Sequence, residues 1–451
     1  MNRRFDLIVV GSGAAAGNIA SRCRTAGWSV AMIDKRPFGG TCALRGCDPK
    51  KVLVGAAAAV DAARALAGNG VDVGGLMLDW PALMRFKRTF TDPVPAARRA
   101  ELARAGIEAL DGTARFAGPR HVTVNDERIE ATRAIAIAAG AMPMKLPIDG
   151  AEHVIISDQF LDLETLPASV AFIGGGYVSF EFAHVAARAG AKVTIVHQGT
   201  RPLEPFDADL VDRLVARTRE LGIELQLGTE VRRVERAGTR LRVIGSVQSR
   251  DVAIEVDLVV HGAGRIPDLQ DLDLDAAGVQ YSRKGIAVNR FLQSVSNPAV
   301  YAAGDCADSG GPPLTPVAGY EGRIVAANLL EGNHTVTEYA AIPSVVFTIP
   351  PLARVGLDEE EARRDRLQFT VRHEDTAGWY ASRRVGERHS AFKVLVENGT
   401  DRIIGAHMLA PHADETINLF SLAIRAGVSA PQLKQMLWAY PTQASETNYM
   451  I

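Results

Sequence analysis

Only four cysteines occur in 451 residues, too few for the disulfide framework of a secreted scaffold. An excess of one charge is also missing. With 50 Lys and Arg against 52 Asp and Glu, no global field recruits nucleic acid or an anionic membrane. Long hydrophobic runs are absent as well. The most apolar stretches, near 8–20 and 134–144, are short and broken by glycine, which argues against a membrane span. The chain opens on Met1-Asn2-Arg3-Arg4 and runs straight into the apolar segment 5–10. That leaves no room for a signal peptide, so the expected location is the cytoplasm. No low-complexity tract breaks the chain. What is present is an ordinary globular composition, 47% hydrophobic and 23% charged, on a length that calls for about two to four domains.

Two of the cysteines are close together, in Gly39-Gly40-Thr41-Cys42-Ala43-Leu44-Arg45-Gly46-Cys47-Asp48-Pro49-Lys50-Lys51. In a reducing compartment such a pair reads as redox-active, with two unlinked buried thiols as the alternative. A regular helix would splay these positions by about 140°. A bridge between them therefore needs a bent turn, which Gly46 permits. Zinc fits poorly, because no second Cys/His cluster lies nearby to complete four ligands, and no metal site is expected. Cys23 and Cys306 have no partner in sequence and read as inert buried thiols.

Two nucleotide-binding patterns accompany the pair. Residues 5–10 read as a buried strand, Gly11-Ser12-Gly13-Ala14-Ala15-Ala16-Gly17 as a tight turn opening a helix, and 28–33 as a second strand ending on Asp34. Glycines let the backbone approach a pyrophosphate, the helix N-terminus stabilises its charge, and the acid binds a ribose. Ala16 takes the third glycine position, but strand, helix and Asp34 supply the required context. A second copy begins at 170–173 and turns through Gly174-Gly175-Gly176-Tyr177-Val178-Ser179-Phe180-Glu181 into a helix ending near Gly190. A strand over 192–196 follows. Two such patterns and a redox pair imply two dinucleotides passing electrons.

Further segments follow in order: Ala138-Ala139-Gly140-Ala141-Met142-Pro143, Gly262-Ala263-Gly264-Arg265-Ile266-Pro267-Asp268 and Tyr301-Ala302-Ala303-Gly304-Asp305. Beyond residue 340, strands are expected over 343–348, 391–396 and 403–408, and helices over 414–426 and 431–438. Together with the cysteine motif, these segments resemble the flavin-dependent pyridine nucleotide–disulfide oxidoreductases over essentially the whole chain. That family includes glutathione, lipoamide and mercuric reductases. The resemblance implies an α/β fold with two Rossmann-like dinucleotide-binding domains, for FAD and for NAD(P), plus a C-terminal α+β dimerisation domain. The FAD domain would comprise 1–147 and 274–338, the NAD(P) domain 148–273 and the interface domain 339–451, in a homodimer.

The same resemblance implies roles. Cys42 and Cys47 would form a disulfide reduced by FAD, with Cys42 the interchange thiol and Cys47 the charge-transfer thiolate against the flavin. Both steps require thiolates, and the positive charge of Lys50 is the candidate for tuning them. Lys50 would pair with Glu181 near the flavin N5, and Tyr177 would act as a lid over the flavin. The implied cofactor contacts are Gly11, Gly13, Ala14, Ala15, Asp34, Lys35, Gly40, Thr41, Ala139, Gly140, Gly304, Asp305 and Ala318, with Gly174, Gly176, Tyr177, Val178, Glu181, His197, Arg201, Gly264 and Arg265.

Nicotinamide choice turns on the end of the second strand of the second pattern, where NAD enzymes place an acid and NADP enzymes arginines nearby. Here His197 holds the acid position, and Gln198 and Glu204 stand where arginines are common. Ser179 and Ala183 in place of glycines tilt the pattern to NADPH over NADH, with Arg201 as phosphate partner.

One departure is chemical. Near the C-terminus, glutathione and lipoamide reductases carry His-Pro-x-x-x-Glu, whose histidine serves the partner subunit as acid–base. This chain has Tyr440-Pro441, with Glu446 one residue later than usual. Imidazole titrates near about 6.5 and a phenol near about 10, so Tyr440 is a hydrogen-bond donor rather than a base at neutral pH. Ser21 stands about where glutathione reductases carry an arginine for the peptide. Mercuric reductases lack the histidine but end on a vicinal cysteine pair, whereas this sequence ends Tyr449-Met450-Ile451. The expected activity is electron transfer from NAD(P)H through FAD and Cys42–Cys47 to a small-molecule or protein disulfide. The alternative is a non-disulfide acceptor such as a metal ion or quinone, and a third reading is a flavin-based redox sensor with negligible turnover.

Overall fold

The computed structural model describes residues 3–451. They form two compact units. One is built from the chain up to Lys50 with Phe86–Met144 and Gly264–Tyr339, the other from Lys51–Arg85, Lys145–Ala263 and Ala340–Ile451.

In the first unit the apolar run becomes the strand Arg3–Val10, central in a parallel sheet. It pairs with Val30–Asp34 on one side and Glu127–Ile137 on the other, so that Val10 faces both Ile33 and Ile137. Glu108–Asp111 and Val300–Ala302 add further parallel strands, while Arg115–Gly118 and His121–Val124 add antiparallel ones. Leu7, Ile8 and Val9 are all fully buried, the continuous apolar pattern of a strand covered on both faces. One core packs Ile8, Ile33, Ile135 and Val300, and the other Leu7, Val9, Ile19, Met32 and Ile324. The strand expected from Trp28 begins only at Val30. Trp28 instead closes the preceding helix, its N–H bonding Cys23 O at 3.1 Å.

The second unit repeats the plan. Glu224–Leu227, Lys192–His197, Ser169–Ile173, Leu258–His261 and Ile155–Ile156 form a parallel sheet in that order. Thr229–Ala237, Arg240–Val247 and Arg250–Val256 make an antiparallel sheet of three. The C-terminal part is a five-stranded antiparallel sheet in the order Ser344–Val346, Leu352–Gly356, Ile403–Leu409, Ala391–Glu397, Phe369–Asp375. On it the helix Ala413–Ala426 packs Ile417 and Phe420 into a core with Val355 and Phe392.

The helix expected over 431–438 is shorter, Ala430–Lys434. Ser429 and Gln432 form a capping box at its start. Beyond it no buried face forms, with Leu437 at 99% exposure, and a short helix persists only where packing holds it. No helix among the described residues is long and apolar enough to cross a membrane.

Candidate active site

The chain breaks between the two cysteines. Cys42 lies in the helix Gly40–Arg45 and Cys47 opens the helix Cys47–Ala65. Gly46 links them at φ −140° and ψ −117°. A Cβ at Gly46 would lie 2.9 Å from Thr41 O, so the backbone closes on itself only without a side chain. Both cysteines are free thiols.

Their ionisation is opposite. The neighbouring Cys42, the Thr315 hydroxyl and the charge of Lys50 draw Cys47 down to about 6, against the opposing effect of burial. Its place in the first turn of a 19-residue helix favours the thiolate further. Cys42 moves up, through its coupling to the neighbouring Cys47 and because burial penalises its charge. Thr315 Oγ1 lies 3.6 Å from Cys47 Sγ. Asp48 Oδ1 accepts from Cys42 Sγ at 3.7 Å. Cys23 and Cys306 are fully buried, and burial pushes each thiol up to about 12, so neither is reactive.

Around the first Gly turn the backbone forms a cradle. Gly11 sits at φ +105°, and a Cβ there would lie 2.2 Å from Ala138 O. Gly40, at φ +77°, passes so close to Gly13 that its Cβ would lie 2.5 Å from Gly13 Cα. The helix Ala14–Thr25 starts at Gly13 with no side-chain cap and no acid in its first turn, leaving its amides to an anion. Asp34 ends its strand as expected, accepting from Ser12 Oγ at 2.6 Å and from Arg36 N–H at 2.9 Å. Gly304 approaches Ala318 and Ala15. It is held by Glu321, a buried carboxylate that accepts from Gly304 N–H, Ser309 and Tyr339. Burial pushes the Asp305 carboxyl up, with the Arg265 charge opposing. These open amides, glycine contacts and waiting carboxylate fit the FAD implied by the resemblance.

Other expected contacts divide. Ala141–Pro143 and Arg265–Pro267 pair antiparallel, and the Arg265 guanidinium donates to Ala141 O. Gly140 and Gly264 flank them, Gly140 O accepting from Asp268 N–H and Gly264 O from Met144 N–H. Thr41 and Ala139 are half-buried nearby in the chain. Lys35 is held by Asp268 and Asp271, each 2.8 Å from its Nζ.

The second Gly turn copies the first. Gly174 N–H bonds Val196 O at 2.8 Å, as Gly11 N–H bonds Ile33 O at 2.7 Å. The helix Tyr177–Arg188 likewise starts at a glycine, Gly176, without a side-chain cap or an acid in its first turn. His197 packs between Gly175 and Gly199, where a Cβ would lie 2.5 and 2.6 Å from its ring, and its Nε2 is 3.2 Å from Arg201 O. Arg201 itself reaches Glu204 O at 3.2 Å. Tyr177 is half exposed, Val178 partly buried and Ser179 fully buried. Glu181 is 1% exposed and accepts from Phe347 N–H at 2.8 Å.

Near the C-terminus Tyr440 is 80% exposed. Glu446 is buried, and its carboxylate is taken by Ala381 N–H at 2.8 Å and Gln443 Nε2 at 3.2 Å. Burial pushes its carboxyl up, the Ala381 bond opposing. The structure also adds residues that the sequence reading did not single out. Thr315, Glu321 and Ser12 are brought in only by folding. Asp48 was visible beside Cys47, an acid in an otherwise small and basic motif.

Known proteins resemble this chain over nearly its whole length. The pyridine nucleotide-disulphide oxidoreductase family matches residues 5–322, and its dimerisation domain matches residues 342–451. A glutathione reductase of Burkholderia cepacia is 34% identical over 444 residues, 98% of this chain and 97% of that protein. A mercuric reductase of Lysinibacillus sphaericus is 30% identical over 456 residues, 98% of this chain and 81% of that protein. The Cu(II) complex of the HOCl-induced flavoprotein disulfide reductase RclA from Escherichia coli superposes with a TM-score of 0.88. It is 28% identical and covers 100% of this chain and 99% of its own.

Proposed function

Because the chain belongs to the pyridine nucleotide–disulphide oxidoreductase family, we propose that it carries electrons from NADPH through FAD and Cys42–Cys47 to a disulfide acceptor. Members of this family are FAD- and pyridine nucleotide-dependent oxidoreductases acting on sulfur groups. The observation that carries the reading is the pair of free thiols on two helices joined at Gly46, with Thr315 Oγ1 3.6 Å from Cys47 Sγ. When bound, FAD supplies the two-electron relay between nicotinamide and sulfur. Cys42 then attacks one sulfur of the acceptor, forming a mixed disulfide and releasing the first thiol. Cys47 attacks Cys42 Sγ, displaces the second thiol and closes the Cys42–Cys47 disulfide. Thr315 and Lys50 keep the negative charge on Cys47 between these steps.

NADPH is the proposed donor because no acid ends the strand Lys192–His197, and His197 and Arg201 stand there instead. Lys50–Glu181 pairing and a Tyr177 lid belong to the same proposal, as does the division into FAD, NAD(P) and interface domains at residues 147, 273 and 338. A homodimer follows from the match to the dimerisation domain, supported by exposed Leu437, Tyr440 and Tyr449 within it. A cytoplasmic location suits a working dithiol.

A reducible metal ion is the second reading, favoured by Tyr440 in the histidine position and by the mercuric reductase relatives. Anaerobic NADPH turnover with glutathione disulfide, and separately with Hg(II), decides between them. New thiols matching NADPH consumed, abolished by Cys42→Ser, are the expected result. NADPH oxidation with Hg(II) alone would move the assignment to the metal.

A further inference from the structure

We propose that Asp48 is the acid–base for Cys42, supplying within one chain the proton transfer that relatives take from a histidine where this chain has Tyr440. The inference rests on the disulfide-acceptor reading. Asp48 Oδ1 stands 3.7 Å from Cys42 Sγ, with the thiol as donor. Cys47 and Thr315 also act on that sulfur. Cys47 cannot keep the proton, because its thiolate is needed for the second displacement. Thr315 is a hydroxyl with no basic character near neutral pH. That leaves the carboxylate, which is exposed and sits in the first turn of the helix Cys47–Ala65, open to an incoming substrate. The neighbouring negative charge also raises the Cys42 thiol, alongside Cys47 and burial, so the proton stays on Cys42 until substrate arrives.

The step balances within the dithiol and the acceptor. Cys42 Sγ bonds to a substrate sulfur, the substrate S–S bond breaks, and the thiol proton passes to Asp48 Oδ1. The protonated carboxyl gives that proton to the departing sulfur, which leaves as a thiol. Cys47 then displaces the remaining substrate sulfur from Cys42, and that thiolate takes its proton from solvent. The dithiol loses two electrons and the acceptor disulfide gains them. A carboxylate is a weaker base than imidazole, so its main value is as an acid to the leaving sulfur once the S–S bond has begun to break.

Asp48→Asn and Asp48→Glu, as FAD-loaded enzymes pre-reduced with NADPH, test this against two probes. Hydroxyethyl disulfide releases an alkyl thiolate that needs a proton, whereas dithiobis(nitrobenzoate) releases a stabilised aryl thiolate that does not. The expected result is a fall of about 10²-fold in the alkyl-to-aryl rate ratio for Asn, largely restored in Glu. Separately, iodoacetamide alkylation of Cys42 in the reduced enzyme should reach its midpoint at lower pH in Asn, since a neighbouring negative charge is gone. If wild type reduces both probes but neither the rate ratio nor the alkylation midpoint moves, the assignment of Asp48 alone is overturned. A wild type that reduces neither probe overturns the disulfide reading, and this step with it.

Discussion

Small local features shift Cys42 and Cys47 in opposite directions. A hydroxyl at Thr315, a lysine at position 50 and a helix start pull charge onto Cys47, while Asp48 stands against Cys42. The backbone cradle proposed for FAD is set at the same scale. At Gly40, φ is +77° and a Cβ would meet Gly13 Cα at 2.5 Å. Both partners are backbone, so nothing yields. Gly40→Ala should cost about 2 kcal/mol at that turn, and the purified variant should retain normal far-ultraviolet dichroism with sharply reduced flavin absorbance. Full flavin content in that variant would contradict the cradle. The cysteine motif, Gly turns and Asp34 were readable in sequence because their chemistry is local, carried by neighbours a few residues apart. Thr315 was not, since 268 positions separate it from Cys47 and only the sheet order brings it there.

Among elements, buried charge does the joining in the second unit. Arg188, 3% exposed on the helix Tyr177–Arg188, pairs with Asp61 at 2.8 Å and donates to His184 O and Ile349 O. Arg217, on the helix Ala208–Glu220, meets the same carboxylate at 2.8 Å. Asp61 belongs to the helix Cys47–Ala65, so one carboxylate fixes three helices. Removing it strands a buried guanidinium. Asp61→Ala should lower stability by about 3 kcal/mol, read as a reduced denaturant midpoint, and Asp61→Ala with Arg188→Met should recover most of it. A loss under about 1 kcal/mol in the single variant would show that the cluster is solvated instead. No sequence pattern marks this cluster, because its members look like ordinary surface charges on separate helices. The helix at 430–434 is shorter than its expected span because folding gives residues beyond it, such as Leu437, no buried face.

At the scale of the whole molecule, the repeated strand–glycine–helix plan was the most readable feature, since two parallel sheets need the same turn twice. Both copies appear with matching hydrogen bonds at Gly11 and Gly174. On the proposed function, the dithiol receives electrons from FAD and stores them with the charge on Cys47. Anaerobic titration of the FAD-loaded protein with NADPH, followed by visible absorbance, tests it most directly. After one electron pair at neutral pH, a long-wavelength thiolate–flavin band should grow in. It should fade as pH falls through about 6, where Cys47 takes up its proton. Bleaching straight to reduced flavin with no such band at any pH would contradict the account and remove the cysteine pair from the electron path.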